Sequence, residues 1–235
     1  MIEGSNLLAI LRDDDLNHID SIATRVSFGS GDILYEPGDR VDCCYFPIDS
    51  AIGSFFVELD SGVAVETVMV GREGALGGIV SNGRLPSYAR ANVMHGGDFY
   101  RIAIPDLDRA KHDFIGIRYL FDRYADCLMA QVFQSIACNA IHTIEQRAAK
   151  WLIAAVDRTG QHEITMTQEQ LASMMGIGRS YASRVIQRLK RDGLVSTRRG
   201  GIVVRDADGL KDRSCSCNHM VKRHFRDVLA GVYPD

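Results

Sequence analysis

The sequence predicts an α+β protein in which an antiparallel β-domain is followed by a long helix and a helix-turn-helix unit with a short β-hairpin. Three observations predict this. Short β-prone runs separated by glycine-containing turns extend from about residue 26 to residue 104. A stretch with helical apolar spacing and no proline runs from Asp113 to about Ala137. Two further helical patterns flank a glycine turn, and a Gly200-Gly201 turn then joins two β-prone runs.

The composition is typical of a globular chain of one or two domains. The chain has 235 residues, of which 46% are hydrophobic and 24% are charged. No apolar run approaches the roughly 20 residues that a membrane helix needs, and no signal-peptide pattern opens the chain. Six irregularly spaced cysteines do not resemble a disulfide framework. We therefore expect a cytoplasmic protein without membrane association.

The first segment, residues 1–112, is predicted to open with one or two short helices within residues 6–25. Asp13-Asp14-Asp15 offers N-cap candidates there. Evenly spaced short strands then suggest a β-roll or jelly roll of the double-stranded β-helix type. The runs that predict strands are Ile33–Tyr35, Cys44–Phe46, Gly53–Val57, Val63–Val70 and Ala91–Val93.

The second segment, residues 113–138, is predicted to be a central helix. A helix of about 25 residues would be about 37 Å long, which exceeds the need of one small domain. We expect one side to pack on the β-domain and the other on a second subunit; a helix wholly internal to one subunit is the alternative. The residues assigned to this dimer helix are Ile117, Leu120, Tyr124, Leu128 and Val132.

The third segment, residues 139–235, contains the pattern of a winged helix-turn-helix. A helix over residues 141–156 precedes it, and a helical extension over residues 210–230 follows it. Thr167 is a predicted N-cap for a first helix over Gln168–Met175, with Gln170 completing a capping box. The free N–H groups at that helix end suit a DNA phosphate. A second helix is predicted over Ser180–Arg191.

Charge separates the two ends of the chain. Residues 1–140 hold 11 Lys and Arg against 20 Asp and Glu, whereas residues 141–235 hold 16 against 10. A local positive field is what phosphate binding requires, although a solvated charged face is the simpler alternative. The predicted DNA-binding residues are Thr167, Gln168, Arg179, Ser180, Tyr181, Ser183, Arg184, Gln187, Arg188, Arg198 and Arg199.

These elements, in this order, resemble the Crp–Fnr superfamily (cyclic-AMP receptor protein and fumarate–nitrate reduction regulator). The resemblance covers nearly the whole chain. It is carried by Gly31 to Asp39, by Gly71-Arg72-Glu73-Gly74, and most strongly by Leu171-Ala172, Gly176, Arg179, Ser183-Arg184, Leu189 and Gly193-Leu194-Val195. It implies a homodimeric transcription regulator that binds a palindromic operator in double-stranded DNA and works with RNA polymerase. It also implies base or phosphate contacts for Arg179 and Arg184, with Ser180 where the family often has glutamate.

The same resemblance argues against cyclic-AMP binding. The segment Gly74-Ala75-Leu76-Gly77 has Ala75 in place of the glutamate that would bind the ribose, and Ala89 stands at the arginine position. Strand alternation would point Arg90 to the opposite face. Two alternatives stay open: no effector at all, or an unknown small molecule in a remodelled pocket. The residues expected to line such a pocket are Gly74, Ala75, Leu76, Tyr88, Arg90 and Tyr124.

Two cysteine groups remain. Cys43-Cys44 is expected to be buried in a strand. Cys215-x-Cys217-x-His219 could be structural, redox-active or metal-binding, but its spacing is not the usual one for zinc. A redox- or metal-responsive regulator is thus an alternative, although the sequence predicts no resident cofactor. No nucleotide-binding, hydrolase or metalloprotease motif indicates an enzyme. A small-molecule-binding protein or an enzyme, with DNA binding secondary, is the alternative from a different class.

Overall fold

The computed structural model describes residues 2–60, 62 and 64–233. Within that part of the chain, no helix combines the length and apolarity that crossing a bilayer demands. The chain opens with a short 3-10 turn at Leu8–Ile10 and helix α1 at Asp13–Ile22. The three aspartates are not N-caps: Arg12 occupies that position, and Asp13, Asp14 and Asp15 lie in the first turn, where their charges suit the helix dipole.

Among the described residues, seven strands form the β-domain. They are β1 (Thr24–Phe28), β2 (Ile33–Tyr35), β3 (Cys43–Pro47), β4 (Ile52–Glu58), β5 (Ala64–Val70), β6 (Arg90–His95) and β7 (Gly97–Ala103). They pair antiparallel in two sheets, ordered β1-β7-β3 and β2-β6-β4-β5. The predicted β-roll is therefore present. The β-prone runs did not predict β1 or β7. Strand β7 was missed because it begins within the Gly96-Gly97-Asp98 segment, which resembled a turn.

In the N-terminal half, one apolar cluster joins the β1-β7-β3 sheet to helices, and another lies between the two sheets. Helix α2 (Ile104–Asp113), which the sequence did not predict, follows β7 directly and has a proline in its first turn. Phe46 on β3 packs edge-on against Phe121 of the long helix α3 (Ile115–Ile141), with ring centroids 6.1 Å apart. This packing fixes the position of that helix against the β-domain.

The central helix α3 spans Ile115–Ile141, close to the predicted boundaries. His142 has extended backbone angles and ends it. Thr143 then caps helix α4 (Ile144–Thr159) with a capping box to Gln146, so α4 begins three residues later than predicted. This break separates the long helix from the helix-turn-helix.

The helix-turn-helix comprises α5 (Gln168–Met175) and α6 (Arg179–Arg191). The predicted hairpin is β9 (Val195–Arg198) with β10 (Gly201–Val204), and an unpredicted strand β8 (Glu163–Thr165) extends the sheet in the order β8-β10-β9. These elements share a second apolar core with α4.

The predicted C-terminal helical extension consists of two helices, α7 (Ala207–Arg213) and α8 (Cys217–Leu229). The break contains Ser214 and Ser216, with Cys215 between them. Helix α8 packs along α3, and Phe225 and Leu229 are buried in the N-terminal core. The chain end therefore returns to the β-domain after the helix-turn-helix.

Candidate nucleic-acid interface

The start of α5 is closed by the predicted capping box. Thr167 Oγ1 accepts a hydrogen bond from Gln170 N at 3.1 Å, and Gln170 Oε1 accepts one from Thr167 N at 2.8 Å. The helix ends at Gly176, whose left-handed φ of 65° is accessible to glycine without strain. Local sequence alone thus fixes both ends of α5. Thr167 is exposed, whereas Gln168 is half-buried.

Helix α6 has a buried apolar face and an exposed polar face. Ala182, Val185, Ile186 and Leu189 are buried against the rest of the unit. The exposed side chains are Arg179, Ser180, Tyr181, Arg184, Gln187 and Arg188, while Ser183 is half-buried. The structure therefore brings most of the predicted DNA-binding residues onto one face of one helix.

The arginines of α6 differ in their partners. The Arg184 guanidinium lies over the Tyr181 ring, 5.1 Å from its centroid. Arg188 Nη1 lies 2.7 Å from Glu145 Oε2, and that hydrogen bond raises the pKa of Arg188. In the described part of the chain, no ion pair joins Arg179 or Arg184 to an acid. Both side chains are exposed, so their positive charges are available to a ligand that binds at α6.

An open groove of about 610 Å³ runs between α6 and the beginning of α4. Thr143 and Glu145 form one side of the groove, and the α6 side is formed by Tyr181, Ser183, Arg184, Val185, Gln187, Arg188 and Arg191. Such a basic concave surface suits a polyanion better than an apolar ligand.

The hairpin carries the remaining two predicted residues. Arg198 is bonded to Glu163 across the sheet, so its charge is partly compensated. Arg199 is exposed at the turn before Gly200. Of these two arginines, Arg199 is the one placed at the tip of the wing.

Comparison with known proteins agrees with this geometry. Residues 146–213 match the Crp-like helix-turn-helix domain. The chain is 22% identical over 198 residues to the transcriptional regulatory protein btr of Bordetella pertussis, covering 81% of each chain. Residues 146–213 are a Crp-like helix-turn-helix domain. This confirms the predicted resemblance and the class of a DNA-binding transcription regulator.

Solved structures show the same fold over most of the chain. FixK2 from Bradyrhizobium japonicum aligns with a TM-score of 0.69 at 14% identity, covering 83% of this chain and 98% of that one. A transcriptional regulator of the Crp/Fnr family from Eubacterium rectale aligns with a TM-score of 0.67 at 15% identity, covering 88% and 97%. The predicted order of β-domain, long helix and helix-turn-helix is confirmed at the level of the fold.

The residues predicted to line an effector pocket do not enclose one together. Ala75 and Leu76 are fully buried. Tyr124 Oη accepts a hydrogen bond from Ala75 N at 2.9 Å and donates one to Ala75 O at 3.0 Å. A Cβ on Gly74 would lie 2.3 Å from the same hydroxyl. The tyrosine therefore occupies the space that this segment would offer to a ligand.

The other two predicted pocket residues lie elsewhere. Tyr88 is 85% exposed on a loop. Arg90 Nε lies 2.6 Å from Glu36 Oε2, and Arg90 Nη2 lies 3.6 Å from Glu58 Oε2. The guanidinium is engaged by two carboxylates, and Arg90 lines a separate cavity of about 180 Å³ between the β-domain and α5.

The predicted dimer positions on α3 need correction. Ile117, Leu120 and Tyr124 are buried within the chain, because this end of α3 is enclosed by the β-domain and α8. Leu128 is half-buried and Val132 is exposed. The exposed apolar stripe lies further along the helix, and it consists of Met129, Val132, Phe133, Ile136 and Ile141.

The cysteine pair of the C-terminal segment has partners that the sequence did not indicate. Cys138 Sγ lies 3.7 Å from Cys215 Sγ, and His142 Nδ1 lies 3.5 Å from Cys217 Sγ. His219 is exposed on α8 and is not part of this group. Burial raises the pKa of Cys215. Cys44 is buried in its strand as predicted, whereas Cys43, for which burial was also expected, is only half-buried.

Contacts between the β-domain and the helix-turn-helix unit were also missed. Strand β5 packs on α5, and α4 contributes two side chains to the same boundary. No sequence pattern identifies these pairs, because each joins residues far apart in the chain. They are Ser173 Oγ to the Ala64 carbonyl (2.8 Å), Trp151 Nε1 to Glu66 Oε1 (3.2 Å) and Arg158 Nε to Glu73 Oε1 (2.7 Å).

Proposed function

We propose that the chain is a homodimeric transcription regulator of the Crp–Fnr type that binds an inverted-repeat operator in double-stranded DNA. The observation that carries the proposal is the exposed face of α6, where Arg179 and Arg184 have no acidic partner among the described residues. A recognition helix of this kind enters the major groove with its N-terminal residues toward the base edges. The protein acts in the cytoplasm by binding rather than by catalysis.

Arg179 and Arg184 are the proposed base-reading residues. An arginine can donate two hydrogen bonds to O6 and N7 of guanine, worth roughly 1–3 kcal/mol of discrimination. Ser180 between them accepts or donates to several bases, so the half-site differs from that of relatives with a glutamate there. The ring of Tyr181 contacts the Arg184 guanidinium and would help to hold its orientation.

Phosphate contacts would fix the orientation of the protein without reading sequence. The N-terminus of α5 at Thr167 and Gln168 offers backbone N–H groups to one phosphate. Arg199 at the wing tip, and Arg198 beside it, suit another. Ser183, Gln187 and Arg188 complete the face of α6, although Arg188 would have to leave Glu145 to reach DNA.

Two copies are proposed to pair through the exposed apolar stripe of α3. A two-fold axis there would present two α6 helices to grooves about 34 Å apart, which requires an operator with two-fold symmetry. Binding next to a promoter would place the dimer beside RNA polymerase as its functional partner.

The β-domain is proposed not to bind cyclic AMP. The backbone of Ala75 is already hydrogen-bonded to Tyr124, and Arg90 is paired with Glu36 and Glu58. Arg84, the other candidate for a phosphate, is 3.0 Å from Asp42. A cyclic nucleotide would thus find neither free amides nor an unpaired arginine at these positions. An effector, if the domain takes one, is a different small molecule.

The test is selection of bound sites from a random DNA pool, followed by footprinting of the selected sequence. We expect protection with two-fold symmetry and half-sites one helical turn apart. Arg184→Ala should weaken operator binding roughly 10-fold or more and relax the preference for guanine, whereas Arg109→Ala on α2 should leave both unchanged. An asymmetric footprint would refute the dimeric reading, and an unaltered preference in Arg184→Ala would refute the role of α6.

A further inference from the structure

We propose that Cys138, His142, Cys215 and Cys217 form a site for one zinc ion, which links the α3–α4 junction to the segment between α7 and α8. The four ligand atoms all lie within 4.8 Å of one another. The site involves neither the DNA-reading face of α6 nor the β-domain. It comprises side chains from two parts of the chain that the fold brings together.

The distances within this cluster fit a tetrahedral ion. With Zn–S bonds of about 2.3 Å and Zn–N bonds of about 2.0 Å, a tetrahedron has S···S edges of about 3.8 Å and S···N edges of about 3.5 Å. The Cys138–Cys215 sulfur distance is 3.7 Å, and the distance from Cys217 Sγ to His142 Nδ1 is 3.5 Å. These two edges have the lengths that one shared ion would impose.

The donor set also indicates zinc. Three thiolates and one imidazole form a closed four-ligand set, which is typical of structural zinc sites. Cys138 and His142 are four residues apart across the end of α3, and they therefore lie on the same side of it. Cys215 lies in the break before α8, and Cys217 is the first residue of α8. Helix ends thus position Cys138, His142 and Cys217, and Cys215 lies in the connecting segment.

The surroundings supply partners for bound thiolates. Gln134 Nε2 lies 3.1 Å from Cys217 Sγ, and Lys150 Nζ lies 3.4 Å from Cys138 Sγ. Three thiolates with one dication have a net charge of minus one, which the ammonium group of Lys150 offsets. Such outer contacts orient ligands and tune metal affinity.

A disulfide is the competing use of these residues. The sulfur atoms of Cys138 and Cys215 lie well beyond the bond length of about 2.0 Å. A Cys138–Cys215 disulfide would also leave Cys217 and His142 without a role, although they lie in contact beside it. One ion uses all four side chains.

The position of the site suggests that the ion stabilises the DNA-binding unit. Arg213, two residues before Cys215, lies 3.4 Å from Glu145 and 2.9 Å from Asp192. Glu145 in turn holds Arg188 of α6. Holding Cys215 on the ion would therefore keep Arg213 near the recognition helix. Only this consequence rests on the proposed function; metal binding itself does not.

The experiment uses the untagged full-length protein, purified under reducing conditions without chelators. We expect one zinc ion per chain by elemental analysis, and a tetrahedral thiolate spectrum when Co²⁺ replaces it. Cys138→Ser, Cys215→Ser and His142→Gln should each lose stoichiometric zinc. Gln134→Ala should retain the site with roughly 10-fold to 100-fold lower affinity. His219→Gln and Cys43→Ser are the matched controls and should bind like the wild type.

Three results would overturn the proposal. One is reduced protein that takes up no zinc or Co²⁺ on reconstitution. Another is iron with acid-labile sulfide in place of a single ion, and the third is equal zinc loss in His142→Gln and His219→Gln. Operator affinity measured on the same samples separates this proposal from the proposed function, because the two can fail independently. With both correct, zinc removal weakens operator binding and zinc addition restores it.

Discussion

At the scale of single residues, Glu66 is the most perturbed carboxylate in the contact between the two halves of the chain. It lies on β5 and accepts a hydrogen bond from Trp151 of α4 through Oε1, while Oε2 is buried without a partner. Burial raises its pKa to about 7, although the hydrogen bond from Trp151, and then Lys150, Ser54 and Arg158, lower it. The folded protein therefore holds Glu66 protonated at pH values where the unfolded chain ionises it.

The sign of the resulting pH dependence follows from this raised pKa. Between about pH 4.5 and pH 7 the folded state binds more protons at Glu66 than the unfolded state, so its contribution to stability falls as pH rises. We expect Glu66→Gln to gain about 1–3 kcal/mol in the free energy of unfolding near pH 8 and almost nothing near pH 4. Urea denaturation at both pH values measures this difference. Glu58→Gln, an exposed carboxylate on β4, should show no such trend, and an equal pH dependence in Glu66→Gln and the wild type would contradict the argument.

At the scale of elements, the sequence predicts helices and strands better than it predicts which faces they bury. Thr167, Gln170 and Gly176 act within a few residues of one another, so the first helix of the helix-turn-helix was predicted with its observed boundaries. Cys138 and Cys215 are 77 positions apart, and their meeting depends on how α8 returns to α3. The spacing of residues along the sequence does not predict that α8 packs on α3. For the same reason the sequence paired Cys217 with the nearby His219 rather than with His142.

Helix α3 shows the same limit. Its periodicity predicts a helix, but apolar residues occupy more than one face, so periodicity alone could not distinguish the inner stripe from the outer one. The structure buries Ile117 and Leu120 and leaves Phe133 and Ile136 each 63% exposed. An apolar stripe of this kind, exposed along the second half of a helix, favours a partner surface.

We expect Phe133→Asp to convert the proposed dimer into a monomer, because a carboxylate buried at a helix pair would lack a partner. Sedimentation velocity on wild type and variant measures the change. Met220→Asp, at an exposed apolar position on α8, is the matched control and should remain dimeric. A wild-type protein that is monomeric at all concentrations, or a Phe133→Asp dimer, would show that this stripe is not the subunit contact. Loss of the dimer should also weaken binding to the full operator far more than to a half-site.

At the scale of the whole molecule, hydrogen bonds and an ion pair join α4 and the helix-turn-helix unit to the β-domain of the same chain. The Arg158 side chain is only 9% exposed, and its Nε lies 2.7 Å from Glu73 Oε1. Glu73 also accepts from the backbone N of Gly71, at 3.2 Å, so it organises its own turn as well as the contact. Gln131 of α3 adds a bond to the Met69 carbonyl at 2.9 Å. The β-domain, the central helix and the helix-turn-helix unit thus meet around β5.

Removing the charge of Glu73 should separate the unfolding of the two halves. Glu73→Gln leaves the buried guanidinium of Arg158 without its carboxylate, and a cost of about 2 kcal/mol is expected, below that of a fully buried pair because Glu73 is partly exposed. The loss falls on a polar contact between the halves, while both apolar cores remain, including Ile52 and Met69 of the β-domain, which belong to the core of the helix-turn-helix unit. Calorimetry should therefore show a broadened or double transition, and limited proteolysis should cut sooner between α4 and α5. Asp208→Asn, which removes an exposed carboxylate paired with Lys211, should change neither result. A single sharp transition in Glu73→Gln, with unchanged proteolysis, would mean that the apolar packing of α5 on β5 couples the halves without the ion pair.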